Sequence, residues 1–236
     1  MAPCVCDRPE TRLRAGYLTP PFDAVHRTSI IIAIHCAIDR SMPIDTSRLV
    51  VFDFFGVFCS DFVMGWLASR RLEHRAADLI RDHVHPADLG RISFDEQCRR
   101  FGHDLGLDWQ DVKDGMLSFA HLDHDVVRIA QDVARVAPIA LCSNAPQGVV
   151  EGVLDRASVA LPFGVRVISG DVGLMKPDAA IYRRVLDEAA MPAGRAVFID
   201  DRHVNVAAAE ALGIGGIVFT LAAPLAARLR DLGFLA

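Results

Sequence analysis

Short, continuously apolar runs recur along the chain from residue 48 onward, and amphipathic stretches separate them. A strand that is apolar throughout is typical of a parallel sheet covered on both faces, whereas a half-exposed strand alternates apolar and polar residues. Such strands in alternation with helices predict a doubly wound α/β core. The predicted strands span residues 48–54, 138–144, 165–170, 196–201 and 216–220, and the predicted helices span residues 147–157, 179–190, 204–212 and 224–232.

The stretch between the first two predicted strands breaks this alternation, because it carries helical signals only. Ser93 and Glu96 form a capping box at the start of one helix. An insertion here lies over the carboxyl ends of the strands, where open α/β sheets bind ligands, and can close on a substrate. The predicted fold is a Rossmann-like α/β core of residues 46–60 and 136–236 with an α-helical cap of residues 61–135. A further apolar face in that stretch is formed by Val126, Ile129, Val133 and Val136.

The first 45 residues differ in character from the rest of the chain. They are rich in Pro, Arg and Thr with weak periodicity, so residues 1–45 are predicted to be a poorly ordered extension. Met42 stands where the compact domain begins, and we interpret it as the biological start of translation. The apolar run 30–38 has about half the length of a membrane span and contains His35, so no membrane association is predicted.

Net charge and cysteine content narrow the class of protein. The net charge of the 236-residue chain is −5, and without a basic excess nucleic acid is not a predicted partner. Six cysteines scattered through a chain of this length indicate reduced thiols rather than a disulfide framework, which predicts a cytoplasmic location. The expected partner is a small molecule, and the oligomeric state is left open.

Polar residues lie at or after the ends of the first four predicted strands. Because the carboxyl ends of parallel strands meet at one edge of a sheet, we expect these side chains to share one crevice. The set consists of Asp53 in the first strand, Ser143 and Asn144 at the end of the second, Lys176 beyond the third, and Asp200 and Asp201 at the end of the fourth.

This set combines three carboxylates with one ammonium group and one hydroxyl group. Carboxylates that lie close together repel each other, and a divalent cation relieves the repulsion. Hard oxygen ligands suit Mg²⁺. The lysine and the hydroxyl suit a phosphoryl group, and an aspartate in that geometry can attack phosphorus to form an aspartyl-phosphate that water then cleaves. The residues therefore predict Mg²⁺-dependent hydrolysis of a small phosphorylated molecule.

Four motifs around these residues resemble those of a known family. The motifs are "VVFDFFGV", "LCSN", "MKPD" and "VFIDDRHVN". In order and spacing, over roughly residues 48–220, they resemble the four motifs of the haloacid dehalogenase-like (HAD) superfamily. The helical insertion resembles the small cap of its phosphatase-type branch. Specificity then resides in the cap, where residues 61–66 and 85–93 are predicted to face the site.

The resemblance implies a role for each of these residues. Asp53 would be the nucleophile and a metal ligand. Lys176 would stabilise the nucleophile and bind the transferring group. Ser143 would hydrogen-bond the phosphoryl oxygens, helped by the backbone of Asn144. The remaining implied roles are those of Asp200 and Asp201 as ligands of Mg²⁺ and of Asn205 as the residue that orients these carboxylates.

Phe55 departs from the family pattern at a position that matters for catalysis. Phosphatases of the family usually carry a second aspartate there, which protonates the leaving oxygen and later activates water. Phe55 cannot move a proton, and general acid–base help is typically worth about 10²–10⁴ in rate. The resemblance still implies Phe55 as a metal ligand, because this position contributes its backbone carbonyl.

Three interpretations of Phe55 are open. In the first, the chain is a phosphatase whose leaving group needs little protonation, such as an anomeric sugar phosphate or an acyl phosphate, or whose proton comes from a cap residue or water. In the second, it is a 2-haloacid dehalogenase, since those enzymes carry an aromatic residue at this position. In the third, it is a catalytically impaired binding or regulatory protein. The adjacent Asp200 and Asp201 favour the phosphatase, because paired carboxylates need a cation in order to coexist.

Overall fold

The computed structural model describes residues 44–236. The predicted N-terminal extension, apart from its last two residues, and the proposed start at Met42 lie outside the described residues. Within residues 44–236, no helix is both long enough and apolar enough to cross a lipid bilayer.

Five parallel strands form the sheet at the centre of the fold. They are β1 (Leu49–Phe52), β2 (Ile139–Ser143), β3 (Val165–Ile168), β4 (Ala196–Asp200) and β5 (Gly215–Val218). Their order is β3-β2-β1-β4-β5, which confirms the predicted parallel α/β core. Phe52 of β1 is level with Leu141 of β2 and Ile199 of β4, so the chain leaves these three strands at nearly the same height.

Helices cover both faces of the sheet and fill the insertion between β1 and β2. They are α1 (Phe62–Ser69), α2 (Ala76–Leu79), α3 (His85–Asp88), α4 (Phe94–Leu105), α5 (Trp109–Leu117), α6 (His124–Val133), α7 (Val149–Arg156), α8 (Ser169–Val172), α9 (Ala179–Glu188), α10 (His203–Glu210) and α11 (Ala222–Asp231). Short 3₁₀ turns occur at Glu73–Arg75 and Ala193–Arg195, and a π-helical turn at Ile80–Val84 joins α2 to α3. The predicted capping serine is present, since Ser93 Oγ accepts a hydrogen bond of 3.1 Å from the amide of Glu96.

Alternate residues of the central strand face opposite layers of the fold. Val50 and Phe52 pack in one cluster with α6, α7 and α11, while Leu49 and Val51 pack in another with α9 and α10. Each such buried aliphatic or aromatic side chain stabilises the fold by roughly 1.5–3 kcal/mol relative to leaving it in water. Burial on both faces is the reason why the central strand β1 is a continuous apolar run.

The insertion leaves and rejoins the core through two segments that lie side by side. Cys59 and Leu122 form an antiparallel bridge, and the amide of Ser60 donates a hydrogen bond of 3.0 Å to the carbonyl of His121. Beyond this crossing, the cap has a hydrophobic cluster of its own, in which Trp66 is almost completely buried.

Helix α6 lies in the core, although its amphipathic pattern assigned it to the cap. Val126, Ala130 and Val133 are fully buried in the cluster that also contains Val50 and Phe52. The fourth residue predicted on this face, at position 136, lies beyond the end of α6 and is exposed. We therefore propose a cap of residues 61–120 in place of the longer one predicted from sequence. The reason is that periodicity indicates a buried face without indicating which element buries it.

Candidate active site

Asp53 and Asp200 lie beside each other where β1 and β4 end. The amide of Asp53 donates a hydrogen bond of 2.8 Å to the carbonyl of Ile199, which continues the pairing of the two strands by one residue. Both carboxylates are buried, with 5% of Asp53 and none of Asp200 exposed. One oxygen of Asp53 accepts a hydrogen bond of 2.7 Å from the amide of Phe54.

A buried lysine bridges these two carboxylates. Lys176 Nζ lies 2.6 Å from Asp53 Oδ1 and 2.7 Å from Asp200 Oδ2. The side chain of Asn144 anchors the lysine's backbone, because its Oδ1 accepts from the amide of Lys176 at 2.8 Å and its Nδ2 donates to the carbonyl at 2.9 Å. Asn144 was predicted to serve through its backbone, and this anchoring by its side chain could not be foreseen from the motif.

Asp201 completes a group of three carboxylates. One oxygen of each of Asp53, Asp200 and Asp201 lies within 4.8 Å of the others. Asp201 lies directly against Gly56, in the turn after β1, where φ is +90°. A Cβ on Gly56 would overlap the Asp201 carboxylate, so only glycine allows both the left-handed backbone and this close approach.

Asn205 of α10 also holds the Asp200 carboxylate. Its Nδ2 donates to Asp200 Oδ1 at 2.9 Å and to Oδ2 at 3.0 Å, and the amide of Arg202 donates to Oδ1 at 2.8 Å. Tyr182 in turn donates from its hydroxyl to the carbonyl of Asn205 at 2.9 Å. With Lys176, these contacts fix the orientation of Asp200 completely.

The electrostatics of the group follow from burial around a single ammonium. Burial raises the pKa of Asp53 well above its usual value, and the Lys176 charge only partly offsets this. Burial also acts to raise the pKa of Asp200, but the charge and hydrogen bond of Lys176 outweigh it and hold the pKa below its usual value. Burial and the neighbouring Asp200 raise the pKa of Asp201. Despite desolvation, the charges of Asp53 and Asp200 raise the pKa of Lys176.

This donor set fits a hard divalent cation. With every group ionised, three carboxylates and one ammonium leave two uncompensated negative charges, which a dication would neutralise. Two buried polar atoms nearby, Ser143 Oγ and Asn205 Oδ1, have no hydrogen-bond partner among residues 44–236. Buried polar atoms in proteins are nearly always paired, so both are candidates to meet a ligand or a water molecule. Asn205 lines the cavity described next, and Ser143 is not among its lining residues. The role of Ser143 in binding a phosphoryl group stays a prediction.

A cavity of about 160 Å³ lies between these strand ends and the cap. The core contributes Asp53, Asn144, Lys176 and Asp201 to its wall. Both cap segments predicted to face the site contribute as well, the first through residues 61–64 and the second through His85 and Asp88. Sequence reasoning did not single out two polar cap residues of the wall, Asp88 and Gln97, since neither belongs to a motif.

Phe55 links the core to the cap. Its ring meets those of Phe54 and Phe62 edge-on, with centroids 5.0 Å and 5.1 Å away. Phe62 contacts Phe94 in the same way at 5.9 Å, so a row of aromatic rings runs from the end of β1 into the cap. Phe55 also lines the cavity, where it gives the wall next to Asp53 an apolar surface.

The chain resembles known hydrolases in sequence. A family model described as haloacid dehalogenase-like hydrolase matches residues 48–213. A phosphoglycolate phosphatase from Rhodospirillum rubrum is 32% identical over 88 residues, which cover 37% of this chain and 36% of that protein. Drimenol cyclase from Aspergillus calidoustus is 36% identical over 77 residues, which cover 33% of this chain and 15% of that protein. The chain thus matches 36% of the length of the first relative and 15% of the length of the second.

The fold also resembles solved structures. A HAD family enzyme from Bacteroides thetaiotaomicron superposes with a TM-score of 0.63 at 17% identity, over 74% of this chain and 94% of that one. Another structure of that enzyme is a complex with magnesium and inorganic phosphate. An L-2-haloacid dehalogenase superposes with a TM-score of 0.54 at 18% identity, over 72% of this chain and 82% of that one. At these identities the likeness shows the fold alone.

Proposed function

Because this chain belongs to the haloacid dehalogenase-like hydrolase family, we propose that it is a Mg²⁺-dependent phosphatase of a small phosphorylated metabolite. The observation that carries the proposal is the group of Asp53, Asp200 and Asp201, whose oxygens lie within 4.8 Å of each other around one lysine. When all three carboxylates are ionised, such a group needs positive charge beyond that of the lysine. The similarity to a phosphoglycolate phosphatase supports the same class of reaction.

Asp53 is the proposed nucleophile. One of its oxygens attacks phosphorus, so that a bond from Asp53 to phosphorus forms as the bond from phosphorus to the leaving oxygen breaks. Lys176, buried against this carboxylate, keeps it oriented and offsets charge on the transferring group. Water then attacks phosphorus, releases inorganic phosphate and restores Asp53.

The proposed Mg²⁺ ligands are Asp53, Asp200, Asp201 and the backbone carbonyl of Phe55. A bound Mg²⁺ would supply electrostatic stabilisation of the phosphoryl oxygens as charge develops on them. The hydrogen bonds from Asn205 and from the amide of Arg202 set the direction in which Asp200 presents its oxygens. The cavity of about 160 Å³ favours a small leaving group, and sugar phosphates are among the candidates.

A metal-dependent activity screen tests this function. Purified protein is incubated with a panel of phosphate monoesters, in Mg²⁺ or in EDTA, and released inorganic phosphate is measured. We expect phosphate release from at least one ester in Mg²⁺ and none in EDTA. Absence of release from every ester in Mg²⁺ would contradict the proposal.

A 2-haloacid dehalogenase is the second candidate, favoured by the aromatic Phe55 beside Asp53, since a halide leaves without a proton. It predicts chloride release from 2-chloropropionate in EDTA, which the phosphatase does not. The third candidate, an impaired binding protein, predicts no turnover of either substrate and phosphatase activity in Phe55→Asp. Measuring both products on the same preparations separates the three candidates.

Gly56→Ala is expected to weaken Mg²⁺ binding by about 10- to 100-fold, the typical cost of disturbing a ligand's support. A Cβ on residue 56 would lie within 2.6 Å of the Asp201 carboxylate atoms, so the carboxylate would have to move away. Isothermal titration with Mg²⁺ measures the affinity directly.

Gly213→Ala is the matched control for this change. Gly213 also has a left-handed backbone, at φ +84°, but a Cβ there would approach only Ala193 at 3.9 Å. Both variants should lose similar stability from the strained alanine, and only Gly56→Ala should lose affinity for Mg²⁺. Equal affinity in the two variants would show that Asp201 is not a ligand.

A further inference from the structure

The cap holds a buried carboxylate that pairs with no other group among the described residues. Asp88, the last residue of α3, is 8% exposed and lines the same cavity as Asp53 and Lys176. Within residues 44–236 no group donates a hydrogen bond to its carboxylate or forms an ion pair with it. A carboxylate is costly to bury in this way, so its place in the wall of the cavity that Asp53 also lines indicates that it meets the substrate.

Two backbone contacts hold the end of α3 against the strand ends. Gly90, at φ +68°, lies so close to the carbonyl of Gly170 that a Cβ would overlap it. A Cβ on Gly170 would in turn lie 2.8 Å from the carbonyl oxygen of Ala145 and from the amide nitrogen of Gln147. Since Ala145 directly follows Ser143 and Asn144, this stack of backbones sets the position of Asp88 relative to the site.

The surroundings of Asp88 favour its neutral form. Burial raises the pKa of Asp88 to about 7, the charge of Asp61 adds to this effect, and Lys176 opposes it. Near neutral pH both forms are therefore populated, which suits a group that donates a proton in one step and accepts one in the next. The titratable and charged side chains facing the cavity are Asp53, Asp61, His85, Asp88, Lys176, Asp201 and Arg202.

We propose that Asp88 is the general acid–base of this enzyme and takes the place of the acid that Phe55 lacks. The inference rests on the proposed phosphatase function. As the bond from phosphorus to the leaving oxygen breaks, the Asp88 carboxylic acid gives its proton to that oxygen, and the alcohol departs. Asp88, now a carboxylate, accepts a proton from the water that attacks the aspartyl-phosphate. Inorganic phosphate leaves, and both Asp53 and the protonated Asp88 are restored.

Leaving-group dependence tests this role. Asp88→Asn should lower kcat/KM for an alkyl phosphate by about 10²–10⁴-fold, because an alkoxide needs a proton in order to leave. For p-nitrophenyl phosphate the loss should be less than about tenfold, since p-nitrophenolate leaves without a proton. In the wild type, kcat/KM for the alkyl ester should also fall as pH rises through about 7, and the variant should lack this decline.

Transient kinetics give a second signature. With p-nitrophenyl phosphate, Asp88→Asn should release one equivalent of p-nitrophenol in a burst, because the aspartyl-phosphate forms but lacks the base for its hydrolysis. A purely structural loss would lower the active fraction and would leave neither a burst nor a difference between esters.

Asp61→Asn is the matched control. Asp61 lines the same cavity, but its side chain caps α1 by accepting from the amide of Met64 at 3.0 Å, and asparagine can cap equally well. Because the charge of Asp61 helps to raise the pKa of Asp88, Asp61→Asn should move the decline of alkyl-ester activity to lower pH. At pH values below that decline, whatever activity this variant loses should be the same factor for both esters. An equal loss for both esters in Asp88→Asn, or no loss for either, would overturn the inference.

Thermal unfolding shows whether Asp88→Asn is folded. A pKa raised by burial means that Asp88 contributes stability at low pH that is lost as pH rises through about 7. The Asp88→Asn variant, which buries no charge at this position, should therefore unfold at a higher temperature than the wild type at pH 8. If the wild type hydrolyses no phosphate ester of the panel in Mg²⁺, the proposed function fails; if the wild type hydrolyses both test esters and Asp88→Asn shows no leaving-group effect, only the role of Asp88 fails.

Discussion

Asp53→Asn is expected to lower phosphate release by about 10⁴-fold or more, the scale on which removal of a catalytic nucleophile acts. The amide oxygen of asparagine cannot form the aspartyl-phosphate. Among the described residues that line the cavity, no carboxylate other than Asp53 forms an ion pair with Lys176, so none can take its place. Phosphate release in Mg²⁺ from the ester found in the screen is the measurement.

The same variant should remain folded. Burial raises the pKa of Asp53, so this group contributes stability at low pH that is lost as pH rises through its raised pKa. Without metal, the unfolding temperature of Asp53→Asn relative to the wild type should therefore be more favourable at high pH than at low pH. The control is Asp187→Asn on the exposed side of α9, which should keep full activity. Residual activity of Asp53→Asn above a few per cent would exclude Asp53 as the nucleophile.

Lys176→Met is expected to lower the free energy of unfolding by about 3–5 kcal/mol at pH 8, as removal of one partner from a buried ion pair does. The variant leaves Asp53 and Asp200 buried without their shared cation. Urea denaturation at pH 8 and pH 5, without metal, measures the effect.

The effect of pH on this variant has a definite sign. Lys176 holds the pKa of Asp200 below its usual value, so the stability from this pair is present above that usual value and is lost as pH falls through the lowered pKa. Without the lysine both carboxylates accept protons more readily, and the destabilisation should be smaller at pH 5 than at pH 8.

The chain offers a matched control, because its only other lysine is Lys113. Lys113 lies at the surface of the cap, 2.7 Å from Asp95, and Lys113→Met should cost at most about 1 kcal/mol. A loss of similar size in both variants, or a loss in Lys176→Met that does not change with pH, would show that the lysine does not stabilise the carboxylates as described.

Strand positions were predictable because the signal is local and strong. Each predicted strand matches an observed one within about two residues at either end, since a run of buried apolar residues has few other uses in a chain of this size. The meeting of Asp53, Lys176, Asp200 and Asp201 was predictable for a related reason. Once the strands are parallel, the segments that leave their carboxyl ends must all emerge at the same edge of the sheet.

Other parts of the site could not be read from the sequence. Asp88 and Gln97 lie on cap helices whose contacts with the core depend on backbone stacks such as that of Gly90 on Gly170. The place of α6 in the core was missed because its apolar face is equally compatible with the cap. The way in which Asn144 anchors Lys176 joins residues that are 32 positions apart, and no local pattern records it.

The sequence alone thus determined the parallel α/β core, the edge of the sheet that carries the chemistry and the charged groups gathered there, because hydrophobic periodicity and strand direction act over a few residues. Only the tertiary structure decided which side chains of the cap reach the cavity and which buried carboxylate of its wall is left without a partner among the described residues. Both features depend on close packing between segments that are far apart in the chain. The contact of Gly90 with the Gly170 backbone, which only glycine permits, is one example.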